Sequence, residues 1–143
     1  MLTVAELYED CEQLNIQVLE CPLPENGSVS LMDDGGACYI GMDSSVLDGE
    51  ALERVHLSHE IGHCATGSFY NRYSPYDLRR RHENRADKWA IRRTVPVEQL
   101  DEAVAGGCTE IWELAEWFGV TEQFMRKAVC LHVHGNLAAE LYF

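Results

Sequence analysis

Apolar residues at Val4, Leu7, Tyr8, Cys11 and Leu14 follow the three-and-four spacing of one helical face. Thr3, with Glu6 three residues on, supplies a capping box, so a helix is expected over residues 3–14. "IQVLECPL" reads as a short apolar strand closed by prolines. "SVSLM", the turn "DDGG" and "ACYIGM" predict two strands of a hairpin. Asp48 is placed to cap a long helix that runs through "EALERVHLSHEIGHCAT" and stops at Gly67. The aromatic stretch "SFYNRYSPYD" reads as a loop, and "LRRRHENRADKWAIRR" as a helix whose end Pro96 marks. Shorter helices are expected near 97–105, 109–118 and 121–133.

This order predicts an α+β fold, with a short antiparallel sheet packed on the long helix and a helical C-terminal part. The chain is expected to form one domain over 1–143. Within it, 1–47 holds the first helix and the sheet, 48–95 the two long helices, 96–135 the later helices and 136–143 a tail.

Composition narrows the class. Apolar residues make up 46% and charged residues 24% of 143, an ordinary globular balance. A formal net charge of -13 argues against a general grip on phosphate backbones. "MLTVAELYEDCEQL" has neither the basic nor the apolar region of a signal peptide, and no apolar run reaches membrane-span length. Cys11, Cys21, Cys38, Cys64, Cys108 and Cys130 form no CxxC pair, so they are expected as reduced thiols in a cytoplasmic protein. The ending "LAAELYF" partly resembles a protease-site tag and carries no weight in the fold argument.

The candidate chemistry lies in "HLSHEIGHCATG". His59, Glu60 and His63 form H-E-x-x-H, which on a helix puts both imidazoles on one face, one turn apart. Two imidazole nitrogens can then meet one zinc ion at about 2.0–2.1 Å. Glu60 projects beside the metal, where it can take a proton from a bound water. With 6 histidines in 143 residues, chance supplies about 0.03 occurrences of this pattern.

A catalytic zinc needs a third protein ligand. The long metzincin pattern fails, because Thr66 and Phe69 stand where it needs glycine and histidine. His56 is one turn before His59, but three ligands from one helix would crowd a tetrahedral ion. The next helix offers His82, Glu83 and Asp87. Glu83 is the best of these: it shares a stripe with Ala86, Asp87 and Ala90, and the small alanines let two helices approach closely. Asp87 is then placed to orient His59 or His63 through the second ring nitrogen.

"HEIGH", followed by "ENRADKWA" and then Pro96, resembles the ImmA/IrrE family of zinc metallopeptidases, and "ACYIGMD" before the long helix is similar too. The resemblance covers roughly residues 36–130. It implies a small zincin-like fold, zinc (Zn2+) on His59, His63 and Glu83, and Glu60 as general base. It also implies an intracellular endopeptidase, often carried by phages or mobile elements, whose protein substrate is a helix-turn-helix repressor. His56 and "IRRTV" depart from the family pattern.

The oxyanion donor is left among Tyr70, Tyr73, Tyr76 and His82, in or near the loop before the Glu83 helix. The strand over 37–42 is expected to offer an edge for an extended substrate. "TEIWELAEWFGVTEQFMRKAV" has a helix-turn-helix rhythm, but a hairpin packing Leu114, Phe118, Val120, Met125 and Val129 accounts for it better, because DNA reading needs a basic face. His132 and His134 are read as surface or terminal residues, and Cys64 as a small hydrophobe pointing off the metal face. The rival to a peptidase is a regulatory module that keeps the metal but does not cut; a DNA-binding role through 109–131 ranks below it.

Overall fold

In the computed structural model, which describes residues 1–140, Thr3 and Glu6 close the expected capping box. It starts helix α1 (Val4–Gln13), which buries Leu7 and Cys11. Strands β1 (Ile16–Glu20), β2 (Ser28–Met32) and β3 (Cys38–Met42) form one sheet in the order β1-β3-β2. The hairpin reading holds for β2 and β3, which pair antiparallel. Their turn is organised by Asp33, whose Oδ1 accepts from the amides of Gly35 and Ala37 at 2.9 Å each.

The sheet is mixed rather than antiparallel, because β1 lies parallel to β3. The link over 21–27 carries the chain across the end of β3 instead of folding β1 back on β2. The Cys21 amide bonds the Met42 carbonyl at 3.0 Å, and the Leu23 amide bonds Asp43 Oδ2 at 2.7 Å. One consequence corrects an expectation. Strand 37–42 is the central strand and has no free edge; the edge strand beside the long helix is β2.

Helix α2 (Glu50–Thr66) starts one residue later than expected. Its N-cap is Gly49, at φ 94°, with no side-chain cap bond, so Asp48 does not cap it. The helix ends as expected at Gly67, in the left-handed region that ends many helices. Helix α3 (Tyr76–Thr94) begins two residues before the apolar pattern suggested, directly after Pro75. Helices α4 (Val97–Ala105), α5 (Ile111–Phe118) and α6 (Glu122–His134) follow, then a 3-10 turn at Ala138–Glu140. The last residues of the tail, 141–143, lie outside the described residues.

Two apolar clusters flank the α2–α3 pair. One joins Leu7, Ile16, Ile40, Met42, Leu57 and Ile61 from α1, the sheet and α2. The other gathers Ile91, Val95, Leu100, Leu114, Phe118 and Met125 from the end of α3 and the later helices. Buried Arg54 of α2 bridges the two regions. Its guanidinium donates to the carbonyls of Leu2 and of Gly119, the residue at the α5–α6 turn.

The helix-turn-helix rhythm thus reflects packing: Leu114, Phe118, Val120 and Met125 are buried, and Val129 is partly buried. His132 is half-buried, and its Nε2 hydrogen-bonds the Val95 carbonyl at 2.7 Å; His134 is exposed. All six cysteines are free thiols. Among the described residues no helix is long and apolar enough to cross a membrane.

Candidate metal centre

Helix α2 presents His59, Glu60 and His63 to a cavity of about 520 Å³ that β2, α3 and α6 also line. The ligating atoms of these three lie within 4.8 Å of one another and could hold a metal ion. Helix α3 brings a fourth group closer still. Glu83 Oε2 lies 2.8 Å from His59 Nε2, and Oε1 lies 3.2 Å from His63 Nε2. The two Nε2 atoms are 3.2 Å apart. Ligands at about 2.0–2.1 Å from a tetrahedral ion stand roughly 3.3–3.4 Å from each other, so these spacings suit one small cation.

The outer ring nitrogens fix which atoms face inward. His63 Nδ1 is 2.6 Å from the Ser68 carbonyl, which can only accept, so that nitrogen carries the proton. His59 Nδ1 is 2.8 Å from Asp87 Oδ1, again an acceptor. With both rings neutral, each would turn an Nε2 lone pair toward the other and toward the Glu83 carboxylate. Such a cluster of acceptors needs a cation.

Without a metal, a proton fills that need. Burial disfavours the charged His59, but hydrogen bonds to Asp87 and Glu83 outweigh it and push its pKa up to about 10. Burial opposes the ionised Glu83 too, yet the bonds with His59 and His63 hold its carboxyl well below the usual range. Asp87 is lowered in the same way, burial being outweighed by His59 and then by Lys127.

Glu60 is also close, but its oxygens are committed elsewhere. Ser28 Oγ donates to Oε2 at 2.7 Å and Ser30 Oγ to Oε1 at 2.8 Å. His56 does not reach the metal face. Its Nδ1 lies 2.7 Å from Ser28 Oγ, and burial holds its pKa below the ordinary value against the pull of Glu60.

The α2–α3 approach that delivers Glu83 depends on Gly62 as much as on the alanines. A Cβ there would meet the Ala86 carbonyl oxygen at 2.5 Å. Ala86 and Ala90 are fully buried.

The candidate oxyanion donors separate. Tyr70 lines the cavity and its hydroxyl donates to Glu83 Oε1 at 2.6 Å. Burial, then the bond to Glu83, raises its pKa, so it stays a donor. Tyr73 is 79% exposed and bonded to Arg72, and Tyr76 is 57% exposed against Arg79 and Arg80. His82 stacks on Tyr70 at 6.4 Å and is not among the residues lining the cavity. Cys64 is half-buried and packs against the sheet-side apolar cluster, away from the ligand face.

Sequence reasoning missed Ser28, Ser30, Ser68, Gly62 and Lys127, which bonds Asp87 at 3.3 Å. Three of these residues, Gly62, Ser28 and Ser30, left a signal. A helix-interior glycine is unfavourable by about 1 kcal/mol against alanine and so marks a close approach. Strand β2 reads serine on the face toward α2 and Val29 and Leu31 outward, the reverse of a strand that only covers a core. Ser68 acts through its carbonyl, which no side-chain pattern reports.

Comparison of the chain with protein-family models, curated proteins and solved structures finds no match.

Proposed function

We propose that the protein is a zinc-dependent endopeptidase. One observation carries the reading: two imidazole Nε2 atoms and the Glu83 carboxylate converge within 2.8–3.2 Å, while a second carboxylate, Glu60, stands beside them bound only to hydroxyls. Two nitrogens and a carboxylate form a donor set that suits zinc, and three protein ligands leave a fourth position for water or substrate. His59, His63 and Glu83 would hold the ion, and Asp87 and the Ser68 carbonyl orient the imidazoles.

A zinc ion held there would supply a water whose pKa falls towards about 7, and would polarise a carbonyl. Glu60 accepts the proton from the attacking water and delivers it to the leaving amine. Tyr70 is the donor best placed to hold the developing oxyanion, once its hydroxyl turns from Glu83 to the substrate. An intracellular helix-turn-helix repressor as the substrate, and a cytoplasmic setting, rest on the ImmA/IrrE resemblance alone. DNA binding through 109–131 is disfavoured: Glu116 and Glu122 are exposed there, and Lys127 is engaged by Asp87.

Glu60→Gln tests the reading. The variant should fold and keep zinc, with cleavage of a candidate repressor slowed by about 10²–10⁴-fold, followed by mass. Equal cleavage by both proteins removes Glu60 from the mechanism. Zinc and partner binding without cleavage by the wild type would favour a silent regulatory module.

A further inference from the structure

We propose that Ser28, Ser30 and His56 form a clamp that keeps Glu60 out of the metal's coordination shell and aimed as a base. The inference rests on the metal centre described above and assigns roles to residues outside it. Glu60 has a reason to stray: it follows His59 on the helix, and its ligating atom lies within 4.8 Å of both imidazole nitrogens. A free carboxylate there would compete for the fourth position and close the site.

The strand prevents this. Ser28 and Ser30 are two apart on β2, so both side chains stand on the face toward α2. Each serves a different oxygen of one carboxylate, at 2.7 and 2.8 Å, which fixes the carboxylate plane as well as its position. Glu60 is 7% exposed, so little water competes for these bonds.

His56 fixes the Ser28 rotor. Ser28 has one hydroxyl proton and spends it on Glu60, so its oxygen must accept from His56 Nδ1, 2.7 Å away. The chain runs His56 Nδ1–H to Ser28 Oγ–H to Glu60 Oε2. His56 is a positioning residue, and its other ring nitrogen stays unprotonated when the ring is neutral.

Two measurements test the clamp. On the metal-free protein, nitrogen NMR of the imidazoles should find neutral His56 protonated at Nδ1. Ser28→Ala should shift it toward Nε2–H, and Ser28→Thr, which keeps the hydroxyl, should restore it. A wild-type His56 protonated at Nε2 overturns the proposal.

Cobalt(II) as the sole probe ion tests the consequence. The visible d–d bands of the Ser28→Ala/Ser30→Ala variant should shift from those of the wild type as Glu60 swings onto the ion. Adding Glu60→Gln should bring the wild-type spectrum back. Unchanged bands in the double-serine variant overturn the clamp while leaving the metal centre intact. No cobalt uptake by wild type, or uptake unaffected by Glu83→Ala, overturns the metal centre itself. Should Ser28→Ala fail to fold, the wild-type His56 tautomer still gives the first reading, and the cobalt bands of Ser30→Ala, with and without Glu60→Gln, give the second.

Discussion

Replacing Gly62 by alanine sets two effects of opposite sign against each other. Alanine in a helix interior is favoured over glycine by about 0.8–1 kcal/mol. The added Cβ would stand 2.5 Å from the Ala86 carbonyl oxygen and 3.1 Å from Ala86 Cα and carbonyl carbon. These are backbone atoms of a second helix and cannot rotate away. Forcing an extra methyl into a packed interface costs about 1–3 kcal/mol. The clash should win, for a net loss of roughly 1 kcal/mol and a melting temperature lowered by about 2–4 °C.

The metal site should feel the change more than the fold. Relief requires α3 to move outward, and Glu83 and Asp87 sit three residues before and one after Ala86 on that helix. A shift of about 1 Å would stretch the 2.8 Å contacts of His59 with both carboxylates past hydrogen-bonding length. Zinc affinity should fall at least about tenfold, or about 1.4 kcal/mol. Thermal melts of metal-free and zinc-loaded protein, with zinc titrated against a coloured chelator, read both quantities. A Gly62→Ala variant that melts higher and binds zinc as tightly would refute the argument that helix spacing sets the site.

Other outcomes follow from the same geometry. Glu83→Ala should lose most bound zinc in elemental analysis; retention there, with loss in His82→Ala, would reassign the third ligand. Asp87→Asn keeps the shape but weakens the partner of His59 Nδ1, and chelator competition should show affinity down about 10–100-fold. His59 is protonated at neutral pH in the metal-free protein, so zinc uptake at pH 7.5 should release about one proton, measured by calorimetry in buffers of different ionisation enthalpy. The raised His59 pKa stabilises the metal-free fold fully below about pH 6.5, the unfolded value, and that contribution is lost as pH rises through about 10. Glu83 and Asp87 act oppositely: their depressed pKa values stabilise above about pH 4, and that help is lost as acid protonates them. Melts of metal-free protein should therefore decline toward alkaline pH, and a flat profile from pH 7 to 10 would contradict the His59 assignment.

Local rules were enough for the positions of most helices and for the shared face of His59 and His63. The Thr3–Glu6 box, the stop at Gly67 and the break before Pro96 each depend on neighbours a few residues away. His59 and His63 share a face because helical pitch alone dictates it. The Glu83, Ala86, Asp87 and Ala90 stripe likewise announced which face of α3 would turn inward, and Ala86 and Ala90 are the buried positions. Tertiary structure decided what depends on long-range pairing. Whether β1 joins β2 or β3 is invisible in the alternation of side chains, since either partner satisfies the same face. That choice left β2 as the edge strand beside α2, with Ser28 and Ser30 against Glu60. It also decided which of four candidate donors reaches Glu83, because loop 68–75 brings the Tyr70 hydroxyl to that carboxylate and leaves Tyr73 in solvent. A pattern of residue types encodes pitch and polarity along the chain. It does not encode which distant segment will cross it, and the environment of Glu60 is made from such a crossing.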